Sequence, residues 1–437
     1  MRSPQTVDLR FGKGRLQLQV PATADILCGP AIPALDNPQR AVEEALTNPI
    51  QSESLAAIAR RKQPRSVVIT MSDITRPVPN ELLITAILEQ LNKAGVPDAA
   101  CTILIATGMH RPSTPAERQI MLGSDLIARC QIVDHKADQP QTLVRISDAP
   151  PISINRLYND AEMRIVTGLI EPHFMAGYSG GRKGICPGLV DLETVQRFHG
   201  YQTMGHAQSV EGVLSGNPCH EIAMAVARQV PCDFLVNAAI TNDRAPAGIY
   251  AGDLFAAHEQ GCQDVERWTT AAVDAPYDLV VQSAGGQPLD ESFYQTVKGM
   301  VQALPALHDQ STLLMCSACT EVGSPAYVDL MQRHGRDFRN FLAEIANTAT
   351  TAKDQWEFQM QTRVLERIGV ERLVLVNDGL ARDLQAGLAV TPAPGEGPAA
   401  SRAQALIDAF VEQSPDGRIA VIPEGPYTML KARQALA

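Results

Sequence analysis

Short apolar runs rich in Val, Ile and Leu recur along the chain at 66–70, 101–106, 131–133, 163–166 and 234–239, and again at 277–282, 311–315, 372–376 and 418–422. They are continuous rather than alternating, as strands covered on both faces are. Between many of them lie segments with helical spacing, such as 80–94 and 219–229. Strands alternating with helices predict an α/β fold with mostly parallel sheets flanked by helices. Residues 8–20 read differently: Gly12 and Gly14 sit beside the alternating Leu16-Gln17-Leu18-Gln19-Val20, which predicts an N-terminal hairpin or edge strand. Asp274-Ala275-Pro276 precedes a fresh strand, so two domains are expected, 1–270 and 271–437, with an active site in the cleft between them. The Pro-, Gly- and Ala-rich stretch 391–400 reads as a loop, and 428–437 as a closing helix.

A length of 437 residues fits two or three domains of roughly 150 residues. Lys plus Arg number 37 against 48 Asp plus Glu, a net charge of −11, which argues against a nucleic-acid partner. An apolar fraction of 45% and a mean hydropathy of −0.07 describe an ordinary globular chain. Nothing approaches ~18 consecutive apolar residues, so no membrane partner is expected. Met1–Val20 lacks the apolar centre of a signal peptide, and the expected location is the cytoplasm. The nine cysteines are scattered, which does not suggest a disulfide framework. The single CxxC, Cys316-Ser317-Ala318-Cys319, reads as small residues ending a buried strand rather than a zinc or redox motif.

In open α/β sheets ligands bind beyond the carboxyl ends of strands. Four successive exits carry ionisable residues beside Gly or Pro: Ser72-Asp73-Ile74-Thr75-Arg76-Pro77, Thr107-Gly108-Met109-His110-Arg111-Pro112, Asp134-His135-Lys136, and Thr167 through Glu171-Pro172-His173. One such exit is readily a cap or a turn. Four in one domain would converge along one sheet edge. The segment 174–188 then holds Gly177, Gly180, Gly181, Gly184 and Gly188 around Arg182 and Lys183, a composition suited to an anion or an ordinary flexible turn. It matches neither the P-loop nor the dinucleotide fingerprint, and neither HxH nor HExxH occurs. His110, His135, His173 and His199 fall in or near these loops; His206, His220, His258, His308 and His334 read as surface residues.

Taken in order, Ser72–Pro77, Thr107–Pro112, Glu171–His173, Ser179–Lys183, Pro187-Gly188, Phe198-His199-Gly200 and Tyr294-Gln295-Thr296-Val297-Lys298 resemble the nickel-dependent lactate racemase family over most of the chain. The resemblance implies a pyridinium mononucleotide whose two sulfur-bearing arms hold nickel as a pincer. The cofactor would supply three metal positions and His199 the fourth. Lys183 would carry the cofactor as a covalent thioamide, and Asp73, Ile74, Thr75, Arg76 and Pro187 would line it. His110 and His173 would be the acid/base pair. Arg76, Tyr294, Gln295, Lys298 and Trp356 would contact the substrate, the later residues from the second domain. Enzymes that make the cofactor would be partners. Two departures stand out: Met175-Ala176-Gly177 replaces a Phe-Ala-Gly, and 316–323 is not a close match. The substrate's side chain therefore stays open.

The chemistry follows from the substrate. Removing the α-proton of a 2-hydroxy carboxylate makes an unstable dianion, which hydride transfer to a cationic pyridinium avoids by passing through a 2-keto acid. Each enantiomer presents its hydroxyl from a different side, so two bases are needed, and imidazole with an ordinary pKa of ~6.5 suits both roles. Two other readings stay open: a one-way oxidoreductase or dehydratase using the same site, and a non-catalytic cofactor or small-acid binder.

Overall fold

The computed structural model describes residues 3–433, which divide into two compact units. One comprises Ala31–His199 and Ala207–Glu266; the other comprises Met1–Pro30, Gly200–His206 and Arg267–Ala437. A single cut at 270 does not describe them. The expected hairpin forms, Gln5–Phe11 with Gly14–Val20. Its inward residues Val7, Leu9, Leu16, Leu18 and Val20 join a core with Leu279, Val281, Leu314 and Val421, so apolar burial assigns it to the second unit.

The first unit is built on a six-stranded sheet in the order Pro246–Gly252, Phe234–Ile240, Met163–Leu169, Val67–Ser72, Cys101–Ala106, Gln131–Asp134. Neighbours are parallel except the antiparallel pair of Pro246–Gly252 with Phe234–Ile240. The helix Asn80–Lys93 buries Leu83, Ile84, Ile87, Leu88 and Leu91 in a core with Ile69, Ile103, Ile105 and Ile165. That i, i+3, i+4 spacing is why the segment is helical. From Val67–Ser72 the chain runs outward to Gln131–Asp134, then returns to the opposite flank at Met163–Leu169. The reversal opens a crevice between Val67–Ser72 and Met163–Leu169 at their carboxyl ends.

The second unit has a six-stranded parallel sheet in the order Thr391–Pro392, Leu373–Val376, Leu307–Cys316, Tyr277–Ser283, Ile419–Ile422, Asp25–Ile26. The helices Phe293–Gln302 and Gln355–Ile368 pack on each other within it. Two expectations change. Met429–Ala432 is a strand, paired in parallel with Thr270–Val273, because ladder hydrogen bonds are available there; 434–437 lie outside the described residues. Of 391–400 only the middle is loop, since Thr391–Pro392 pairs with Val374 and Leu375 and Ala399 opens a helix. No helix among the described residues is long and apolar enough to cross a membrane.

Candidate active site

The crevice is flanked by three of the four exits singled out above. His110 follows Cys101–Ala106 on one side of Val67–Ser72, and His173 follows Met163–Leu169 on the other; Asp73 and Arg76 leave the strand between them. Asp73 is 9% exposed and organises the central exit. Its Oδ1 accepts from Thr75 N at 3.2 Å and from Thr75 Oγ1 at 2.5 Å. Its Oδ2 lies 2.6 Å from His110 Nδ1. Burial pushes the Asp73 carboxyl up, but His110 and Thr75 outweigh it and hold the group below its ordinary value. With the carboxylate accepting at Nδ1, neutral His110 carries its lone pair on Nε2, as a general base needs.

His173 is backed differently. It is 8% exposed, and its Nδ1 faces the backbone N–H groups of Met175 at 3.4 Å and Ala176 at 3.3 Å. Those donors favour a lone pair on Nδ1 and a proton on Nε2. Arg76 is ion-paired with Glu171 across the crevice. Ser179 fixes the Glu171 backbone by donating to Leu169 O at 2.7 Å and accepting from Glu171 N at 3.1 Å.

The Gly-rich segment is not an open anion cradle. Gly180 and Gly181 have φ of +72° and +52°, and a Cβ on Gly181 would lie 2.4 Å from the His258 ring. Gly181 N donates to Asn237 Oδ1 at 2.8 Å, and Lys183 N to Gly180 O at 3.0 Å. The glycines allow a tight turn to pack on the strand ends, and these amides are already bonded within the protein. Arg182 is 1% exposed; it is within 3.0 Å of His258 Nε2 and donates to Ala176 O at 2.8 Å. Burial lowers its pKa to about 10.

Next to it, Lys183 Nζ sits 4.9 Å from the centroid of the Phe198 ring. Burial, with the charges of Arg182 and Arg76, brings Lys183 down to about 7. An amine with that pKa is substantially unprotonated at neutral pH, the form that can be acylated. Pro187 lies in the same segment, which is tied to the exit of Cys101–Ala106 by Gly108 N donating to Gly188 O at 3.0 Å. His199 caps the helix Leu192–Phe198 and stands edge-on to Phe198 at 4.7 Å. Its Nδ1 donates to Val195 O at 2.9 Å, which places the lone pair of the neutral ring on Nε2. Burial, reinforced by Lys183, pushes its pKa down to about 3, so the ring is neutral.

These residues fit the tethered nucleotide that the sequence implied. Among the described residues no three His, Cys, Asp or Glu side chains gather as a metal site. A lone imidazole suits a metal whose other donors arrive with the cofactor. Lys183 offers the amine for a thioamide link, and His199 a neutral nitrogen for nickel.

In the second unit, Tyr294, Gln295 and Lys298 lie on Phe293–Gln302, with Tyr294 and Lys298 four residues apart on one face. Trp356, 5% exposed, donates from Nε1 to Tyr294 Oη at 3.1 Å. Ile74 packs against the first unit's core.

Several expected polar positions are structural instead. His135 is 1% exposed and bonded at 2.9 Å to Val190 O and 3.1 Å to Asn155 Nδ2. His258 and His334 are buried, not surface residues. Arg111 is exposed and paired with Glu117. Cys316 and Cys319 are buried and free, Cys316 ending its strand, with both thiols pushed up to about 12 and 11 by burial. Sequence reasoning did not foresee that Asp73 backs His110 or that Glu171 pairs with Arg76. The only signal was their presence within the exit motifs.

Comparison with known proteins closes the assignment. Residues 11–212 match the lactate racemase N-terminal domain model and 272–429 the C-terminal domain model. A lactate racemase of Lactiplantibacillus plantarum is 32% identical over 401 residues, covering 90% of this chain and 91% of the relative. One of Thermoanaerobacterium thermosaccharolyticum is 30% identical over 397 residues, covering 90% of each. The solved lactate racemase apoprotein from that organism superposes with a TM-score of 0.88 at 28% identity, covering 98% of this chain and 100% of that one. A Thermotoga maritima protein shares the fold at a TM-score of 0.67 and 16% identity, covering 90% of this chain and 98% of its own. With the strand exits, the lysine and the histidines in the places just described, the chain belongs to the lactate racemase family.

Proposed function

We propose that this chain inverts the 2-carbon of a 2-hydroxy carboxylic acid, as a racemase of a lactate-like acid or an epimerase of a longer one. The observation that carries the reading is the order of exits: His110 and His173 flank the strand that presents Arg76. A substrate anchored at the middle exit has an imidazole on each side. Inversion requires this, and mere binding does not. The family's covalently tethered nickel-pincer nucleotide, when bound, supplies the hydride acceptor.

The remaining roles belong to the chain. Lys183 would hold the nucleotide and His199 the nickel; Asp73, Ile74, Thr75, Arg76 and Pro187 would line the nucleotide. Arg76 keeps spare N–H donors beyond its Glu171 pair, enough to grip a carboxylate in a fork. His110, oriented by Asp73, takes the hydroxyl proton at Nε2, and His173 presents Nε2–H toward the oxygen on the other side. For the return direction the roles exchange. We assign further substrate contacts to Tyr294, Gln295, Lys298 and Trp356. We infer a cytoplasmic enzyme, in keeping with nine free cysteines. Its partners include the enzymes that make the nucleotide.

The test is a screen of enantiopure 2-hydroxy acids against cofactor-loaded protein in D2O. Inversion with the α-hydrogen retained, lost in His110→Ala and in His173→Ala, is the expected result. Deuterium wash-in at the 2-carbon would overturn hydride return, and net accumulation of keto acid or alkene would make the chain an oxidoreductase or dehydratase.

A further inference from the structure

The loop that presents His173 begins with a carboxylate to which the functions above give no role. Glu171, two residues before His173, pairs with Nη1 of Arg76, which leaves the neighbouring strand Val67–Ser72. Both side chains are mostly buried, Arg76 at 25% exposed and Glu171 at 17%. Glu171 is itself held: its N–H donates to Ser179 Oγ at 3.1 Å, and its carbonyl accepts from Ser179 N at 3.0 Å. Arg76 is tied from its own side, since its backbone N–H donates at 3.2 Å to the carbonyl of Asp73, the residue that orients His110. The guanidinium is therefore referenced to both imidazoles, through Glu171 to one and through Asp73 to the other. Its Nε and Nη2 have no hydrogen bond among the described residues. A guanidinium takes a carboxylate either end-on, through Nη1 and Nη2, or side-on, through Nε and Nη2. A carboxylate already at Nη1 disfavours the end-on edge by occupancy and by charge, and leaves the side-on edge to a second acid.

We propose that Glu171 is a positioning residue for inversion: by occupying Nη1 of Arg76 it dedicates the Nε/Nη2 edge to the substrate carboxylate and so fixes the 2-carbon relative to His110 and His173. This rests on the reading that Arg76 holds that carboxylate. An acid gripped by a freely turning arginine docks on either edge, and only some of those poses bring its hydroxyl within reach of an imidazole. Misplacement by about 1 Å is enough to slow a reaction ~10²-fold. The alignment weakens binding. Glu171 places a second negative charge on the guanidinium that the incoming carboxylate must share, and like charges around one cation repel. Glu171 therefore loosens the hold on any carboxylate while it sharpens the pose of the one that reacts. Those opposite effects separate positioning from mere support, because losing a residue that only braces the loop would weaken binding and turnover together.

The experiment uses cofactor-loaded protein and the 2-hydroxy acid that it inverts, with D- and L-lactate tried first. kcat and KM are measured in both directions, and the affinity of propionate, a carboxylate without the 2-hydroxyl, is measured by calorimetry. Glu171→Gln keeps the side chain's size and removes its charge. Its kcat is expected to fall ~10–10²-fold, while propionate binds roughly twofold to fivefold more tightly. Glu171→Asp keeps the charge on a side chain one methylene shorter. Its kcat is expected to fall as well, with no gain in propionate affinity. Propionate affinity unchanged or weaker in Glu171→Gln, or kcat unchanged in either variant, overturns the proposal. Should Glu171→Gln fail to fold, Glu171→Asp decides alone: wild-type kcat, or tighter propionate binding, overturns it. Arg76→Gln, measured beside them, tests the underlying reading separately. Unchanged propionate affinity there removes Arg76 from carboxylate binding and takes the proposal with it, whereas lost affinity leaves that reading standing and the Glu171 variants judge the proposal.

Discussion

Asp73 Oδ2 lies 2.6 Å from His110 Nδ1, whereas the corresponding nitrogen of His173 faces backbone N–H groups at 3.3–3.4 Å. The two imidazoles of one site therefore start in opposite tautomers. His110 is set to receive a proton at Nε2 and His173 to offer one.

Replacing Asp73 by Asn removes the acceptor that fixes the His110 tautomer while keeping the side chain's size. A fall in kcat of roughly 10²–10⁴-fold is expected, the range seen when an orienting carboxylate or a general base is lost. Steady-state rates in both directions of inversion check it. A loss below threefold would show that the pair is only structural. Asp73 also bears on stability. Its native pKa is lowered, so its contribution is present above the ordinary aspartate range and is lost as pH falls through the native value. Asp73→Asn should therefore flatten the acid limb of the unfolding curve.

Lys183, brought down to about 7, should react with a small acylating reagent with a half-maximal rate near that pH, when surface lysines need ~10.4. Peptide mass spectrometry of the protein without its nucleotide reads this directly. Arg182→Met removes one of the two neighbouring charges and should move the profile to higher pH. The guanidinium is buried with no carboxylate partner among the described residues, so relief of its desolvation offsets the loss of its bonds to Ala176 O and His258, and the same variant should change stability little. The sign on stability is opposite to that of Asp73. A lysine with a lowered native pKa opposes folding at acid pH, and stability is regained as pH rises from about 7 toward the unfolded value.

Gly181→Ala places a Cβ 2.4 Å from the His258 ring at a φ of +52°. Both the contact and the conformation oppose it, and a loss of about 1–3 kcal/mol is expected. A shifted denaturant midpoint with an unchanged slope would measure it. The companion change Gly95→Ala meets open space, so its cost comes from a φ of +90° alone and should be smaller.

His199→Ala should abolish nickel retention after loading while leaving the fold intact, since the ring contributes one nitrogen and an edge contact to Phe198. Elemental analysis after gel filtration reads the metal independently of turnover. Nickel retained at wild-type stoichiometry would remove His199 from the metal site.

The strands at 101–106 and 277–282 were legible because a doubly covered strand has no choice but to be apolar along its whole length. The helix over Asn80–Lys93 was legible from its spacing, and the exits from the coincidence of Gly, Pro and ionisable residues after each run. Motif order then named the family and the residues proposed to carry its chemistry. Local pattern could not say which exits flank one another. Strand order is set by which apolar faces meet, and that placed His110 and His173 on either side of Arg76. Nor could it show that Arg182 is sealed in the interior while Lys183, one residue on, stands against Phe198. It gave no hint that Glu357 is buried beside Trp356, because the same residue type at that spacing is usually a solvated helix face. The sequence by itself determined the alternation of strands and helices, the family and the kinds of group available. The tertiary structure alone decided which ring nitrogen each histidine keeps for bonding, which cations are paired and which acids are sealed in the interior, because tautomer, pairing and desolvation depend on neighbours brought together from distant parts of the chain.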